Sequence, residues 1–238
     1  MVPEHGNGYR GDGLHWGPLP RWRWVFFVRS VLSDVGNPAC SVLRAFGETL
    51  VAAGQEVLFL EERGNPAVVA LLRQQGARAL TAFAHDHPQL RYHTYERRFG
   101  ADLVEWLGRT LATADIAVVE LGVDTTLAGW VGALTRPHLQ TYLLDIVDSP
   151  EAAVWRARLI AGPVSNTPGA LDPAAFSAIV CANAWAPAYV ARLPEEQVLR
   201  LSTPVQAVMP ADTATALARQ LATLLLARVA AAPPRREA

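Results

Sequence analysis

The sequence predicts an α/β fold, consisting of a single Rossmann-like domain with a mostly parallel sheet of about seven strands and helices on both faces. Short apolar runs alternate with helical segments along the chain, which is the pattern of a parallel sheet. The first run, Trp24 to Val28, is continuously apolar, as expected for a strand buried on both faces. A Gly-Asn-Pro triplet follows each of the first two runs, at 36–38 and 64–66, and precedes a helix.

The elements of the first half follow from local signals. Ser41 can cap a helix that Gly54 ends, and 55–60 form the second strand. Asn65 is a good N-cap for the next helix, with Pro66 in its first turn. Either 79–83 or 91–95 can be the third strand, because a polar turn separates two short candidate runs.

The second half continues the alternation. The pattern predicts helices at 99–113, 125–134 and 186–193, and strands at 116–121, 139–146, 178–181 and 198–201. Ser149-Pro150-Glu151 has the form of a helix start. A leucine stripe from Leu217 to Val229 indicates a terminal helix. The predicted organisation is a flexible leader at 1–21, the domain at 22–211, a packed amphipathic helix at 212–230 and a disordered tail at 231–238.

Composition excludes several classes of protein. The formal net charge is -1 and no long basic run is present, so the sequence does not indicate a basic surface that would bind nucleic acid. Arg219 and Arg228 interrupt the last apolar stretch, so no membrane span is predicted, and the leader does not have the form of a signal peptide. Cys40 and Cys181 show no disulfide or metal-ligand spacing, and a cytoplasmic location is expected.

The loop after the first strand is the first candidate ligand site. It offers Gly36 and Asn37, with Ser41 at the start of the helix, but it lacks the G-x-G-x-x-G pattern that lets a pyrophosphate approach. Glu61 stands at the end of the second strand, beside Glu62, where an acid would hold a ribose. We predict ligand contacts at these residues and no cofactor.

The remaining candidate site residues lie at the ends of the fourth and fifth strands. Gly122 and Asp124 precede a helix whose N-terminus could bind an anion through its free N–H groups. Asp145 and Asp148 bracket the end of the fifth strand, where paired carboxylates could act as a general base or orient a sugar. Asp148 could equally belong to the cap of the following helix. We predict Asp148 as the catalytic residue and Gly122, Asp124 and Asp145 as ligand-binding residues.

Several of these segments together resemble one family. Gly36-Asn37-Pro38, the segment from Ala52 to Glu61, and Asp148-Ser149-Pro150 resemble the N-terminal domain of CgeB-like glycosyltransferases, and the similarity extends over most of 22–210. The resemblance implies the acceptor-side domain of a GT-B enzyme, in which a second Rossmann-like domain holds the nucleotide-sugar. The Glu-x7-Glu helix of that second domain has no counterpart here, and Ala39 replaces the histidine that commonly follows the family's Gly-Asn-Pro.

The resemblance therefore predicts a ligand that is a nucleotide-sugar or a sugar acceptor, and a protein partner or homo-oligomer that supplies the missing wall of the cleft. Two alternatives remain open at this point. The chain could be a non-catalytic scaffold or regulatory subunit derived from a glycosyltransferase, or a free-standing nucleotide-binding enzyme.

Overall fold

Seven parallel strands form one sheet in the computed structural model, which describes residues 19–33, 39–134, 136–161, 169–206 and 209–231. The strands are β1 (Arg23–Val28), β2 (Glu56–Glu62), β3 (Arg91–Tyr95), β4 (Ile116–Glu120), β5 (Gln140–Asp145), β6 (Ala178–Ala182) and β7 (Val198–Leu201). Their order across the sheet is β3-β2-β1-β4-β5-β6-β7, and every neighbouring pair is parallel. The predicted fold class is confirmed.

Eight α-helices connect or flank the strands within the described residues. They are α1 (Cys40–Ala52), α2 (Pro66–Gln75), α3 (Arg78–Asp86), α4 (Gly100–Thr110), α5 (Thr125–Ala133), α6 (Pro150–Ala161), α7 (Ala186–Val190) and α8 (Ala211–Ala231). The predicted leader and tail lie mostly outside the described residues, as do Gly36 and Asn37.

The ambiguous region between α2 and α4 contains both a helix and a strand. Residues 79–83 belong to α3, in which Ala79 and Phe83 are buried one helical turn apart. Residues 91–95 form β3, an edge strand on which only Tyr95 is buried. An edge strand needs no continuous apolar run, which is why its sequence gave no clear strand signal.

Alternate residues of β1 fill two separate cores. Trp24 and Phe26 face the side covered by α1 and α8, where the rings of Phe26 and Phe59 lie 4.9 Å apart. Val25 and Phe27 face the side covered by α4 and α5. Each fully buried side chain of this size stabilises the fold by roughly 1.5–3 kcal/mol. β1 is therefore an interior strand that is buried on both faces, as its uninterrupted apolar sequence predicted, while β4 is the middle strand of the sheet.

The C-terminal helix α8 packs along α1 and covers one face of the sheet. Leu217, Leu221 and Leu225 form its buried stripe. By length and composition alone α8 is also long and apolar enough to cross a membrane, and it is the one helix among the described residues that passes this test. In the structure its apolar stripe is buried against the domain.

Candidate functional site

The connections that follow β1 and its neighbour β4 run to opposite faces of the sheet. The chain leaves β1 for α1 on one face, whereas it leaves the neighbouring strand β4 for α5 on the other face. In an open parallel sheet this divergence opens a crevice at the carboxyl ends of the two strands, which is the usual ligand site.

A cavity of about 420 Å³ lies at this position, and we call it the switch-point crevice. It is lined by Val28, Arg29, Glu62, Gly64, Asn65, Pro66, Tyr95, Arg97, Gly122, Val123, Asp124, Thr125 and Trp155. These residues come from the exits of β1, β2, β3 and β4 and from α6. Its volume is within the range of small-molecule sites.

Three charged side chains form a connected group on the crevice wall. Arg97 donates a hydrogen bond to Asp124 at 2.5 Å, and its Nε lies 3.6 Å from a carboxylate oxygen of Glu62. Asp124 also caps α5, because its Oδ1 accepts from the N–H groups of Thr126 and Leu127 at 2.9 and 3.0 Å. Two of the N–H groups that were predicted to bind an anion at the start of α5 therefore donate to the protein's own carboxylate.

Asn65 joins the exits of β1 and β2. Its Oδ1 accepts from the N–H of Ala67 and caps α2, as predicted, while its side-chain amide donates to the carbonyl of Arg29. The same amide lies 3.3 Å from an oxygen of Glu61. The second Gly-Asn-Pro triplet thus serves as a helix cap and as a tie between two loops.

Glu61 lies behind the crevice and not within it. Its side chain is fully buried and accepts from the N–H of Val31 at 3.3 Å. Burial raises the pKa of Glu61 to about 7; the hydrogen bonds from Val31 and Ser30 oppose this shift, and the charge of Glu120 adds to it. The acid that lines the crevice at the end of β2 is its neighbour Glu62.

Among the described residues that follow β1, two N–H groups are directed at carboxylates. Arg29 donates its N–H to Glu120 at 2.7 Å, and Val31 donates its N–H to Glu61. In a dinucleotide site, N–H groups near this loop would face the pyrophosphate. Here the N–H groups of Arg29 and Val31 stabilise buried acids instead.

Gly122, one of the predicted ligand-binding residues, lines the crevice, and its conformation explains why a glycine stands here. Its φ is +104°, a region that L-residues rarely adopt. A Cβ at this position would lie 2.9 Å from Cδ of Arg29. The glycine therefore provides both the turn after β4 and the space in which the Arg29 side chain lies.

Tyr95 is a crevice residue that sequence reasoning missed. Its ring is held by Trp106, at a centroid distance of 5.0 Å, and by Phe27 at 6.3 Å. Its hydroxyl is buried and has no hydrogen-bond partner among the described residues. Burial raises the pKa of Tyr95, and the carboxylates of Glu62 and Asp124 raise it further.

Asp145 occupies a different part of the same sheet edge. Its carboxylate is fully buried and accepts two hydrogen bonds from Arg156, at 2.5 and 2.8 Å, and one from Tyr189 at 2.8 Å. The Arg156 guanidinium stacks on Trp185 at 3.3 Å from the ring centroid. Burial raises the pKa of Asp145, whereas Arg156 and Tyr189 lower it. The structure gives this carboxylate a complete set of partners within the protein.

The predicted catalytic residue does not line the crevice. Asp148 is exposed, and its backbone N–H donates to the carbonyl of Val205 at 2.9 Å. Ser149 caps α6 by accepting from the N–H of Ala152 at 3.1 Å. Ser41 lies half-buried in the first turn of α1, also apart from the crevice lining. Of the predicted site residues, the structure brings Gly122 and Asp124 together in the crevice and places Glu61 directly behind it.

Comparison with known proteins gives no assignment. No protein-family model matches the chain, and no curated protein matches it. Among the described residues, no cluster of three His, Cys, Asp or Glu side chains could hold a metal ion.

Proposed function

We propose that this chain is the acceptor-side domain of a sugar-transferring enzyme and binds a hydroxylated small molecule in the switch-point crevice. The observation that carries this proposal is the composition of the crevice wall. Arg29, Arg97, Glu62 and Asp124 all line one cavity. Such a wall offers both donors and acceptors to a ligand with many hydroxyl groups.

The charge balance favours an acceptor over a nucleotide-sugar. Among the described residues of the crevice wall, two arginines are matched by two carboxylates. A pyrophosphate is bound best where positive charge is in excess and backbone N–H groups are free. Here the N–H groups of Arg29, Thr126 and Leu127 donate to carboxylates of the protein.

The resemblance to CgeB-like glycosyltransferases supports the same assignment. Their N-terminal domain is the acceptor side of a two-domain cleft. Of the segments that resemble it, 52–61 runs from the end of α1 into β2 and 148–150 leads from β5 into α6, while 36–38 lies outside the described residues. We infer that the donor is held by a partner protein or by a second copy of this chain.

Calorimetric titration of the purified protein tests this function. The ligands are methyl glycosides of glucose, galactose and mannose, together with UDP-glucose and GDP-mannose. We expect at least one glycoside to bind at least tenfold more tightly than either nucleotide-sugar. Tighter binding of a nucleotide-sugar, or no binding of any glycoside, would overturn the acceptor-side assignment.

A non-catalytic binding subunit is the second candidate. It is favoured by the position of Asp148, which is exposed and lies outside the crevice lining. Transfer of a hexose to a methyl glycoside, detected by mass spectrometry with the donor-binding partner present, distinguishes the two candidates. Turnover that is lost in Asp148→Ala, while the circular dichroism spectrum is unchanged, would exclude the non-catalytic candidate.

A further inference from the structure

The unpartnered hydroxyl of Tyr95 is the strongest sign of a specific ligand contact in the switch-point crevice. Tyr95 is 7% exposed, and its hydroxyl has no hydrogen-bond partner among the described residues. An unpaired hydroxyl at a buried position costs roughly 1–3 kcal/mol. A phenylalanine would fill the same space without this cost, so the hydroxyl itself requires an explanation.

The position of the hydroxyl is fixed by packing around the ring. Trp106 stacks on the ring, and Phe27 contacts it edge-on. Both neighbours belong to the core between the sheet and α4, while Tyr95 also lines the crevice. A ring held in this way places its hydroxyl at a constant position, as a recognition group requires.

Glu62 lies beside Tyr95 at the same level of the sheet. The two residues are direct partners in the parallel pairing of β2 and β3, so their side chains lie on the same face. Both line the crevice. The pair therefore offers one hydrogen-bond donor and one carboxylate acceptor to a group that enters from the crevice.

The charges around the pair select for an uncharged ligand group. Glu62 and Asp124 both act on the Tyr95 hydroxyl as negative charges, and Arg97 is the positive charge beside it. Arg97 already contacts both carboxylates. A third anion at this point would be repelled, whereas an alcohol can accept from Tyr95 and donate to Glu62 at the same time.

We propose that Tyr95 and Glu62 together bind one hydroxyl group of the ligand, with Tyr95 as the donor and Glu62 as the acceptor. Tyr95 is then a specificity-determining residue that rejects ligands without a hydroxyl at this point. The inference rests on the proposed function only for the class of ligand, a hydroxylated molecule of sugar type.

The test compares Tyr95→Phe with Tyr142→Phe. Tyr142 is a matched control in the same sheet, because it is also buried and its hydroxyl donates to Gln140 at 2.5 Å. We expect the Tm of Y95F to equal or exceed that of the wild type, and that of Y142F to fall by roughly 2–4 °C. A fall in Y95F as large as that in Y142F would show a structural role for the Tyr95 hydroxyl and overturn the proposal.

The same variants are then titrated with the three methyl glycosides by ligand-observed NMR. We expect Y95F to bind the recognised glycoside roughly five- to tenfold more weakly than the wild type, and Y142F to bind it equally well. Equal binding by Y95F and wild type overturns the proposal and leaves the proposed function standing. If glycoside binding depends on Tyr95 but a nucleotide-sugar binds more tightly, the Tyr95 proposal stands and the proposed function is overturned. If the wild type binds no glycoside, both proposals are overturned.

Discussion

The two halves of the sheet's carboxyl edge stabilise their buried acids in different ways. At β5, Asp145 is neutralised by a bidentate Arg156 and a tyrosine hydroxyl. At β2, Glu61 has neutral hydrogen-bond donors, namely the N–H of Val31 and the amide of Asn65. The charge of Glu120, at the end of β4, raises the pKa of Glu61 further. The first acid has a complete salt bridge, whereas the second has no cation among these contacts.

This difference separates a structural cluster from a ligand site. The polar groups of the Asp145 cluster form hydrogen bonds with one another, so few donors or acceptors remain for a ligand. The β1–β4 half combines a buried acid of raised pKa with a crevice and with a tyrosine hydroxyl that has no described partner. Polar groups that are not satisfied within the protein are the ones expected to meet a ligand.

Removal of Arg156 is expected to have the largest effect. Arg156→Leu leaves the fully buried Asp145 carboxylate without its cation, which costs about 3–5 kcal/mol of unfolding free energy. Arg158→Leu is the control, because Arg158 lies on the same helix, is exposed and only stacks on Trp155 at 5.0 Å. Its expected cost is below about 1 kcal/mol. Urea denaturation measures both, and similar small losses would contradict the structural role of the Asp145 cluster.

The second effect is a pH dependence that originates at Glu61. Its pKa is about 7 in the folded protein and 4.5 without the fold, so between these values the folded state holds the proton more tightly. Stability must then fall as the pH rises through this window, by roughly 3 kcal/mol in total. Glu61→Gln keeps an oxygen acceptor and is expected to remove this fall.

Glu62→Gln is the control for this pH effect, since Glu62 adjoins Glu61 on the crevice side. Urea denaturation of the three proteins from pH 4.5 to 8 provides the measurement. We expect the wild type and E62Q to lose stability in parallel while E61Q does not. An E61Q profile that parallels the wild type would show that Glu61 is not the titrating group.

The third comparison concerns two glycines of the crevice. Gly64 and Gly122 both have positive φ, at +87° and +104°, but only at Gly122 would an added Cβ have a neighbour within 4 Å, namely Arg29. Gly64→Ala is expected to cost about 1 kcal/mol from backbone strain, and Gly122→Ala about 2 kcal/mol because Arg29 must also move. Equal costs would show that Arg29 does not depend on the space at Gly122.

Much of the fold was readable in the sequence because it is set by local signals. The apolar run of β1, the Asn65 cap and the spacing of strands and helices predicted the alternation and its parallel sheet. β3 was not settled, since an edge strand with exposed side chains lacks an apolar run.

The site was predicted less well because it depends on which face each side chain occupies. Glu61 and Glu62 are adjacent in sequence, yet consecutive residues of a strand point to opposite faces, and only Glu62 lines the crevice. The partners of Asp145 come from α6 and α7, which no local pattern connects to β5. Tyr95 reaches the crevice through the pairing of β2 with β3, which is a long-range contact.

We expect the ligand to bind in the switch-point crevice and not at the Asp145 end of the sheet. The most direct test is amide chemical-shift mapping of ¹⁵N-labelled protein during titration with the three methyl glycosides. We predict that the largest shifts occur at Gly64, Arg97 and Gly122, which line the crevice. Shifts centred on Asp145, Arg156 and Trp185, with none at the three crevice residues, would show that the ligand binds at the Asp145 end instead.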